Sequence, residues 1–366
     1  SRRARVSMWM PRQPTHGRRG DRFRPPHCPW PECRDHTIRS GYRAVRKGHY
    51  SRLRDRKRVP RFRCPTCRRS FSRDAFATTY YLKRPELLLP VASMLVSGCA
   101  HRQIARHLRC APSTVTRLSV RLGEHSLLFH ELSAASVTLN EPVVLDHFET
   151  FVRSQQERLG IATAVGQRSW FVYALRGAGY LRQGGRSRRK RALKSPPKQT
   201  APRAVVDSTL KTLERLLSRS PAWLELVSDD HPAYRAAVRQ MTSRRIPVTR
   251  IRHVIHANPD RSPGHDQERA RQRDRALFAV DLLHKLLRHS QAHHRRESIA
   301  FGRKRQSVVG RAALFAVWRN MIKKITERRP SRLTPAMRVG LTRKPWTWTD
   351  VCAERLFERR IIRSAI

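Results

Sequence analysis

Three apolar segments of this chain each contain an aspartate, a residue that is seldom found in buried strands and helices. They read VVLDHFETF with Asp146, LELVSDDHPAY with Asp229, and LFAVDLLHKLL with Asp281. The first two aspartates follow runs typical of buried strands, and the third lies in a segment with helical spacing. Because strand ends meet at one edge of a sheet, residues distant in sequence are expected to lie side by side there. The sequence therefore predicts an α/β core with carboxylates at one edge.

The periodicity of the chain predicts where its strands and helices lie. Residues 142–180 alternate apolar and polar residues, and they are rich in β-branched and aromatic types, which predicts two or three strands. Two further strands are predicted at 224–229 and 248–257. Helical spacing is found in four segments, namely 84–125, 204–220, 231–241 and about 271–326.

The charge of the chain indicates a polyanionic partner. The 366 residues include 78 Lys and Arg against 27 Asp and Glu, a formal charge of +51. Such a surface binds a phosphate backbone through counterion release, with strong dependence on salt. A GC-rich genome would also raise the arginine content, but would not leave acids this sparse. We expect double-stranded DNA as the partner, and no membrane, since no run of about 20 apolar residues is present.

Four of the seven cysteines follow a zinc-ligand pattern. Cys28 and Cys33 form one pair, and Cys64 and Cys67 form the second, with Pro after its first cysteine. Two such turns supply four thiolates for a tetrahedral Zn²⁺ site, which predicts a zinc ribbon over 27–75. His27 and His36 flank the cysteines and are alternative ligands. Zinc-bound thiolates fit a reducing compartment, so a cytoplasmic location is expected.

Residues 84–125 have the pattern of a helix-turn-helix. A first helix ends at Gly98, a second runs over 101–108, and Pro112 opens a third. The apolar residues that would pack the second helix on the third are Ile104, Ala105, Leu108, Val115 and Leu118. An ordinary helical hairpin is the alternative. In a helix-turn-helix, the residues facing outward to read DNA are Ser113, Thr114, Thr116 and Arg117.

The three aspartates predict a magnesium site. Carboxylates that meet at one sheet edge hold two Mg²⁺ or Mn²⁺ ions, the arrangement used for phosphoryl transfer. Zinc is not expected at this edge, because no cluster of histidines and cysteines surrounds these acids in the sequence. Any one of the aspartates alone would be read equally well as a turn or cap residue. The competing acids are Glu149, Asp230 and Glu297.

The order of these motifs resembles bacterial insertion-sequence transposases of the DDE/DDD superfamily. VVLDHFETF resembles their first-strand motif, SDDHPAY their second-aspartate motif, and AHHRRESIAFGR their basic stretch that ends in an aromatic residue and Arg. Asp281 precedes Phe301 by 20 residues, about the spacing in related enzymes, which favours Asp281 over Glu297 as the third acid. The family more often has Glu there, so the Asp is a departure.

The resemblance implies an RNase H-like catalytic domain over 140–326, with a basic insertion at 181–203. Asp146, Asp229 and Asp281 would be catalytic, and would bind Mg²⁺ or Mn²⁺. The expected partners are the DNA ends of a mobile element and target DNA, bound by a homo-oligomer at the bacterial nucleoid. Five basic residues near the third acid would contact phosphates, namely Arg288, His293, His294, Arg295 and Arg296.

Two flanking segments and two rival functions complete the interpretation. A basic flexible N-terminus is expected over 1–26, and a basic extension with tryptophans over 327–366. A catalytically inactive or domesticated DNA-binding regulator would keep the cysteines and the helix-turn-helix, but would not need all three acids. An RNA-binding, ribosome-associated protein would explain the charge, but not the acids at strand ends.

Overall fold

The structure is a computed structural model of the chain. It describes residues 23–30, 32–36, 41–53, 55–181, 201–243, 250–259, 266–326 and 332–353. Most of the expected N-terminal segment 1–26 and nearly all of the basic insertion 181–203 lie outside these ranges. Where the chain is described, no helix combines the length and the apolar character needed to cross a membrane.

A small antiparallel sheet accompanies the cysteines. Its strands are β1 (Val45–Ser51), β2 (Arg58–Arg63) and β3 (Ser70–Ser72), in that order. Phe62 of β2 is opposite Phe71 of β3, and their ring centroids are 5.9 Å apart. The ring centroid of Phe23 lies 5.8 Å from that of Phe62. This aromatic cluster forms the core of the unit together with Cys28, Cys33 and Cys64, and Cys67 packs against it partly buried.

Three helices follow, with the boundaries that their end signals predict. They are α1 (Leu88–Val96), α2 (His101–His107) and α3 (Pro112–Ala135). Gly98 ends α1 with a positive φ of 84°, a conformation that favours glycine, and the Cys99 amide donates to the Met94 carbonyl at 3.2 Å. The Gln103 side chain accepts from the Ala100 amide at 2.7 Å and so caps α2.

The third helix is much longer than a recognition helix needs to be. It continues for 24 residues, ten beyond the predicted end of the helix-turn-helix at residue 125, and its second half is buried. There it crosses α8 (Arg305–Val317) at a pair of glycines. A Cβ on Gly123 would lie 3.1 Å from the Gly310 carbonyl carbon, so the two backbones are in close contact. The DNA-reading end that we predict is thereby joined to the core by one continuous helix.

The central sheet has five strands and is mixed. Its strands are β4 (Val143–Val152), β5 (Ser154–Gly166), β6 (Val172–Leu181), β7 (Leu224–Ser228) and β8 (Ile251–Ile255), in the order β6-β5-β4-β7-β8. The pairs β4–β5 and β5–β6 are antiparallel, whereas β4–β7 and β7–β8 are parallel. The predicted α/β class is confirmed. Asp146, however, lies inside β4 rather than at its end, because the antiparallel ladder with β5 continues to residue 152.

Helices cover the two faces of this sheet. They are α4 (Ala201–Leu217), α5 (Pro232–Ser243), α6 (Gln267–Ala276) and α7 (Phe278–Ser290), together with α8. Consecutive residues of β4 point to opposite faces: His147 contacts Ser208 of α4, and Phe148 contacts His284 of α7. Two predicted boundaries were wrong, because α4 begins at residue 201, inside the expected insertion, and 291–304 contains only a 3₁₀ turn at Ala292–His294.

The segment after α8 packs onto the first three helices. It contains a π-helical turn (Trp318–Ile322), α9 (Pro335–Arg338) and α10 (Trp348–Ala353). The buried imidazole of His125 in α3 hydrogen-bonds the Val351 carbonyl at 2.9 Å, and the Trp346 and Phe129 ring centroids are 5.8 Å apart. The described part of the C-terminal extension is therefore integrated into the core.

The glycine crossing between α3 and α8 generates a stability prediction. Gly123→Ala is expected to lower the free energy of unfolding by about 1–3 kcal/mol, because the added methyl group overpacks the Gly310 backbone. Val120→Ala, on the exposed face of the same helix, is the control and should change stability by less than about 0.5 kcal/mol. Urea unfolding followed by circular dichroism measures both. Since Gly→Ala within an uncrowded helix stabilises by about 1 kcal/mol, a gain of that size in Gly123→Ala would contradict the close crossing.

Candidate metal centre and carboxylate site

The four patterned cysteines come together as predicted. Their sulfur atoms all lie within 4.8 Å of one another. The Sγ atoms of Cys28 and Cys67 are 3.7 Å apart, and those of Cys33 and Cys64 are 3.8 Å apart. A tetrahedral Zn²⁺ with Zn–S bonds of about 2.3 Å requires sulfur separations of about 3.8 Å. The donor set and its spacing therefore fit a structural zinc ion.

The two histidines beside the cysteines hydrogen-bond the backbone of the first cysteine turn. His27 and His36 are buried, and the Nδ1 of each donates to the Cys28 carbonyl, at 3.0 and 2.8 Å. Asp35 accepts from the Thr66 hydroxyl at 2.6 Å, and so links the two cysteine turns. The histidines hold the first turn in shape, and the four cysteines form the ligand group.

Strand register brings Asp146 and Asp229 to the same level of the sheet. Val144 of β4 pairs with Val227 of β7 in parallel, and each aspartate lies two residues further along its strand. Because β7 ends at Ser228, Asp229 begins the loop at the edge where Asp146 is still within β4. Asp281 lies in the first turn of α7, which packs on β4 and β5.

Asp146 is the most perturbed of the three carboxylates. Its Oδ1 accepts from the Tyr234 hydroxyl at 3.1 Å and from the His147 amide at 2.7 Å. Burial and the nearby charge of Asp229 raise its pKa to about 7, and Asp281 adds to the rise. Asp229 and Asp281 are therefore close enough to Asp146 for their charges to disfavour its ionised form.

An arginine and an asparagine link the other two carboxylates. Asn258 donates to Asp229 Oδ2 at 3.1 Å, and accepts from Arg273 Nε at 2.9 Å. The Nη1 of Arg273 donates to Asp281 Oδ2 in a close ion pair. The Arg273 guanidinium therefore lies next to Asp281, and Asn258 connects it to Asp229.

Two histidines also lie beside the acids, although no cluster of histidines and cysteines is apparent around them in the sequence. His147 Nδ1 lies 2.9 Å from the Tyr234 hydroxyl, and His284 Nδ1 lies 3.5 Å from Asp146 Oδ2. Burial lowers the pKa of each imidazole to about 3, so both are neutral at pH 7, and the contact between His284 and Asp146 is not an ion pair. Thr163 donates to the Asp146 carbonyl at 3.0 Å, and lies 2.7 Å from His284 Nε2.

These histidines had only a weak signature in the sequence. His147 follows Asp146 directly, and His284 lies three residues after Asp281, one turn along a helix. Neither spacing is specific for a site. Tyr234, Asn258 and Arg273 reach the carboxylates from three separate elements, and only the tertiary fold reveals them.

Of the three competing acids, one lies on the opposite face of the sheet and the other two are exposed. Glu149 is on the opposite face of β4 from Asp146 and accepts from the Tyr180 hydroxyl at 2.7 Å. Asp230 is exposed beside Asp229, and Glu297 is exposed in the segment after the 3₁₀ turn. The structure brings Asp281, and not Glu297, into electrostatic contact with Asp146.

The predicted DNA-reading residues lie at the start of α3. Ser113, Thr116 and Arg117 are exposed, and Thr114 is half-buried. The apolar residues predicted to pack α2 on α3 are buried, except Leu108, which is partly so. The Thr116 hydroxyl already donates to the Pro112 carbonyl at 3.0 Å, and lies 3.1 Å from His101 Nδ1.

The basic residues after Asp281 differ in how far they are exposed to solvent. Arg295 and Arg296 are exposed, as phosphate contacts require. Arg288 is half-buried, with its guanidinium 4.7 Å from the Phe148 ring centroid and 3.1 Å from the Glu149 carbonyl. His293 and His294 are 5% and 0% exposed. The expectation that these two histidines hold phosphates was therefore wrong, because the 3₁₀ turn directs them into the core.

The carboxylate site differs from the cysteine site in its spacing. Histidine, cysteine, aspartate and glutamate side chains can bind metal ions. Within the described ranges, the four cysteines are the one group of three or more of these whose ligand atoms all lie within 4.8 Å of one another. The aspartates are more widely spaced. Asp281 already has a cationic partner, the guanidinium of Arg273.

Removing one thiolate tests the cysteine site. Cys64→Ser is expected to lose the bound zinc and to unfold residues 27–75, since small zinc units depend on the metal for their stability. Cys110→Ser, at a half-buried cysteine outside the group, is the matched control. Zinc content by mass spectrometry distinguishes the two variants. Full zinc content in Cys64→Ser would exclude this ligand set.

The raised pKa of Asp146 predicts an unusual pH dependence. The pKa in the folded protein lies near 7, above the ordinary value of 3.8, so folding favours the protonated form. The resulting penalty is absent at pH 4, grows as pH rises, and is complete above about pH 7. Without added divalent ions, Asp146→Asn should therefore be more stable than the wild type by about 1–3 kcal/mol at pH 8.

The same comparison at low pH provides the control. The difference in unfolding free energy should shrink as the pH falls from 8 to 4, and Asp230→Asn, at the exposed neighbour, should show no such trend. A constant difference across this range would mean that Asp146 does not titrate as described.

Comparisons with known proteins add little. A scan against models of protein families and a search of curated proteins both found no match. Among solved structures, the chain is similar to a chain of the cryo-EM structure of the simian T-cell lymphotropic virus intasome in complex with PP2A regulatory subunit B56 gamma. The identity is 14%, the TM-score is 0.27, and the alignment covers 68% of this chain and 73% of that chain. A TM-score this low supports no statement about fold or function.

Proposed function

We propose that this chain is a DDE/DDD-type transposase of a bacterial insertion sequence, with an RNase H-like catalytic domain. It binds the ends of the element and catalyses metal-dependent strand cleavage and strand transfer. The observation that supports the proposal is the effect of Asp229 and Asp281 on Asp146, whose pKa is raised to about 7 by burial and by these two charges. Mutual repulsion of carboxylates is what a divalent cation would relieve.

In this proposal the three aspartates hold Mg²⁺ or Mn²⁺. The bound ions would supply charge neutralisation at the scissile phosphate and an activated oxygen nucleophile. Tyr234 and the His147 amide fix the Asp146 carboxylate through Oδ1. The His231 amide, at 3.0 Å, and Asn258 fix Asp229 in the same way. Ligands held by such outer contacts need little reorganisation when the substrate binds.

The proposed chemistry consists of two in-line displacements at phosphorus. In the first, water forms a new P–O bond and the bond to the 3′ oxygen breaks, which leaves a free 3′-hydroxyl after protonation. In the second, that hydroxyl forms the new P–O bond with target DNA and loses its proton, and a strand of the target is released. Each step attacks the phosphorus of a different phosphodiester, first at the element end and then in the target, but both are in-line displacements of a 3′ oxygen, so one site serves both.

DNA contacts are proposed at two surfaces of the chain. Ser113 and Arg117 are exposed at the start of α3, where base edges are read in a helix-turn-helix. Arg295 and Arg296 are exposed after α7, and the Arg295 guanidinium lies 3.5 Å from where a Cβ of Gly98 would be. The second surface therefore adjoins the first three helices, which supports one continuous DNA path. A homo-oligomer is proposed because two DNA ends must be paired.

Cleavage of the flanking DNA tests this function. Purified wild-type protein is expected to nick or join labelled duplexes of its own element ends in Mg²⁺ or Mn²⁺. Asp229→Asn should reduce the rate by at least about a hundredfold, since loss of a mere outer contact already costs up to that factor. Asp230→Asn, at the exposed neighbour, should retain the rate. Both variants should bind the duplexes as the wild type does.

Two outcomes would contradict the proposal. Equal cleavage by Asp229→Asn and the wild type would remove the site assignment. Binding of the duplexes without any cleavage or joining by the wild type would favour the alternative, a DNA-binding regulator derived from a transposase.

A further inference from the structure

Helix α6 is held over the carboxylate site by few contacts. All ten of its residues are half-buried or exposed. Asp266 caps its first turn, accepting from the Glu268 and Arg269 amides at 3.0 and 3.1 Å. Near its end, the Ala276 carbonyl accepts from the Gln167 side chain at 3.2 Å. A helix without buried residues gains little from packing, so its position depends on polar anchors such as these.

Arg273 is much less exposed than the neighbouring arginines of this helix. Its side chain is 12% exposed, against 81% for Arg269 and 66% for Arg271. It turns inward, forms the ion pair with Asp281, and donates to Asn258, which donates to Asp229. The strongest polar anchor of α6 is therefore made with the carboxylates proposed to bind metal.

The guanidinium and a divalent ion compete for the same oxygen atoms. Asp281 Oδ2 is the acceptor of the ion pair, and Asp229 Oδ2 is held by Asn258, which Arg273 positions. A doubly charged ion bound at these atoms would lie within a few ångströms of a fixed positive charge, where repulsion is strong and poorly screened. The two states are mutually exclusive at Asp281.

We propose that Arg273 is an autoinhibitory latch, which keeps the carboxylate site closed until a divalent ion displaces it. This inference rests on the proposed function, and it names the regulation of that site. In the closed state Arg273 neutralises Asp281 and anchors α6. In the open state the guanidinium leaves Asp281, and α6 loses that anchor. The apparent affinity for the metal is then the intrinsic affinity reduced by the fraction of open protein.

Titration of Mn²⁺ into the zinc-loaded, full-length protein, followed by calorimetry, tests the latch. Arg273→Gln is expected to bind Mn²⁺ about tenfold more tightly than the wild type, or more, because the competing charge is gone and the open fraction approaches one. Arg275→Gln is the matched control. It makes the same change of charge about 200° around the same helix, at an exposed position, and should leave the affinity unchanged.

A second variant decides the matter if Arg273→Gln does not fold, which circular dichroism and thermal unfolding would reveal. Arg273→Lys keeps the charge but loses the planar fork that engages Asn258 and Asp281 together. It should bind Mn²⁺ more tightly than the wild type.

The outcomes separate the latch from the site. Unchanged or weaker Mn²⁺ binding by Arg273→Gln would overturn the latch, as would an equal gain in Arg275→Gln. If the wild type already binds as tightly as Arg273→Gln and also cleaves DNA, the latch is wrong and the proposed function stands. If neither protein binds Mn²⁺, the metal site itself fails, and both proposals fall with it.

Discussion

The repulsion that Asp229 and Asp281 exert on the half-buried carboxylate of Asp146 is the interaction on which the account of this site depends. Asp146 receives two hydrogen bonds, from Tyr234 and its own neighbour's amide, and yet its pKa remains near 7. Hydrogen bonds alone do not offset burial next to two further acids. Arg273 supplies a positive charge to Asp281, and also pairs with Asp274 at 3.5 Å. The fold thus keeps three acids near one edge of the sheet in a chain with 78 basic residues, and it is on this feature that the proposed metal site rests.

The long third helix gives this site a mechanical connection to the surface proposed to bind DNA. Residues at the start of α3 are exposed, and its second half is buried against α8 across Gly123 and Gly310. The chain after the π-helical turn packs back on the same helix, through His125 and Trp346. The first three helices and the sheet therefore share one hydrophobic core. DNA bound at α3 would be held at a defined position relative to the carboxylates.

Local signals allowed much of this fold to be predicted from the sequence. Gly98 and Pro112 mark helix ends through their backbone preferences. The short spacing within each cysteine pair predicts a tetrahedral metal site. Each of these signals lies within a few consecutive residues. Asp146 was misplaced at a strand end, because an antiparallel partner, β5, extends its strand. The roles of His284 and Arg273 depend on how α6 and α7 pack on the sheet, and no local pattern carries that information. The buried state of His293 and His294 was missed for the same reason.

Manganese-specific anomalous diffraction from crystals of the zinc-loaded protein tests the central claim most directly. Soaked with Mn²⁺, the crystals are predicted to show a manganese peak bounded by Asp146, Asp229 and Asp281, with the Arg273 guanidinium turned away from Asp281. Manganese elsewhere on the protein, or no manganese at these carboxylates while Arg273 keeps its ion pair at saturating Mn²⁺, would contradict the account. In that case the aspartates would have to be explained as a buried polar network without a metal.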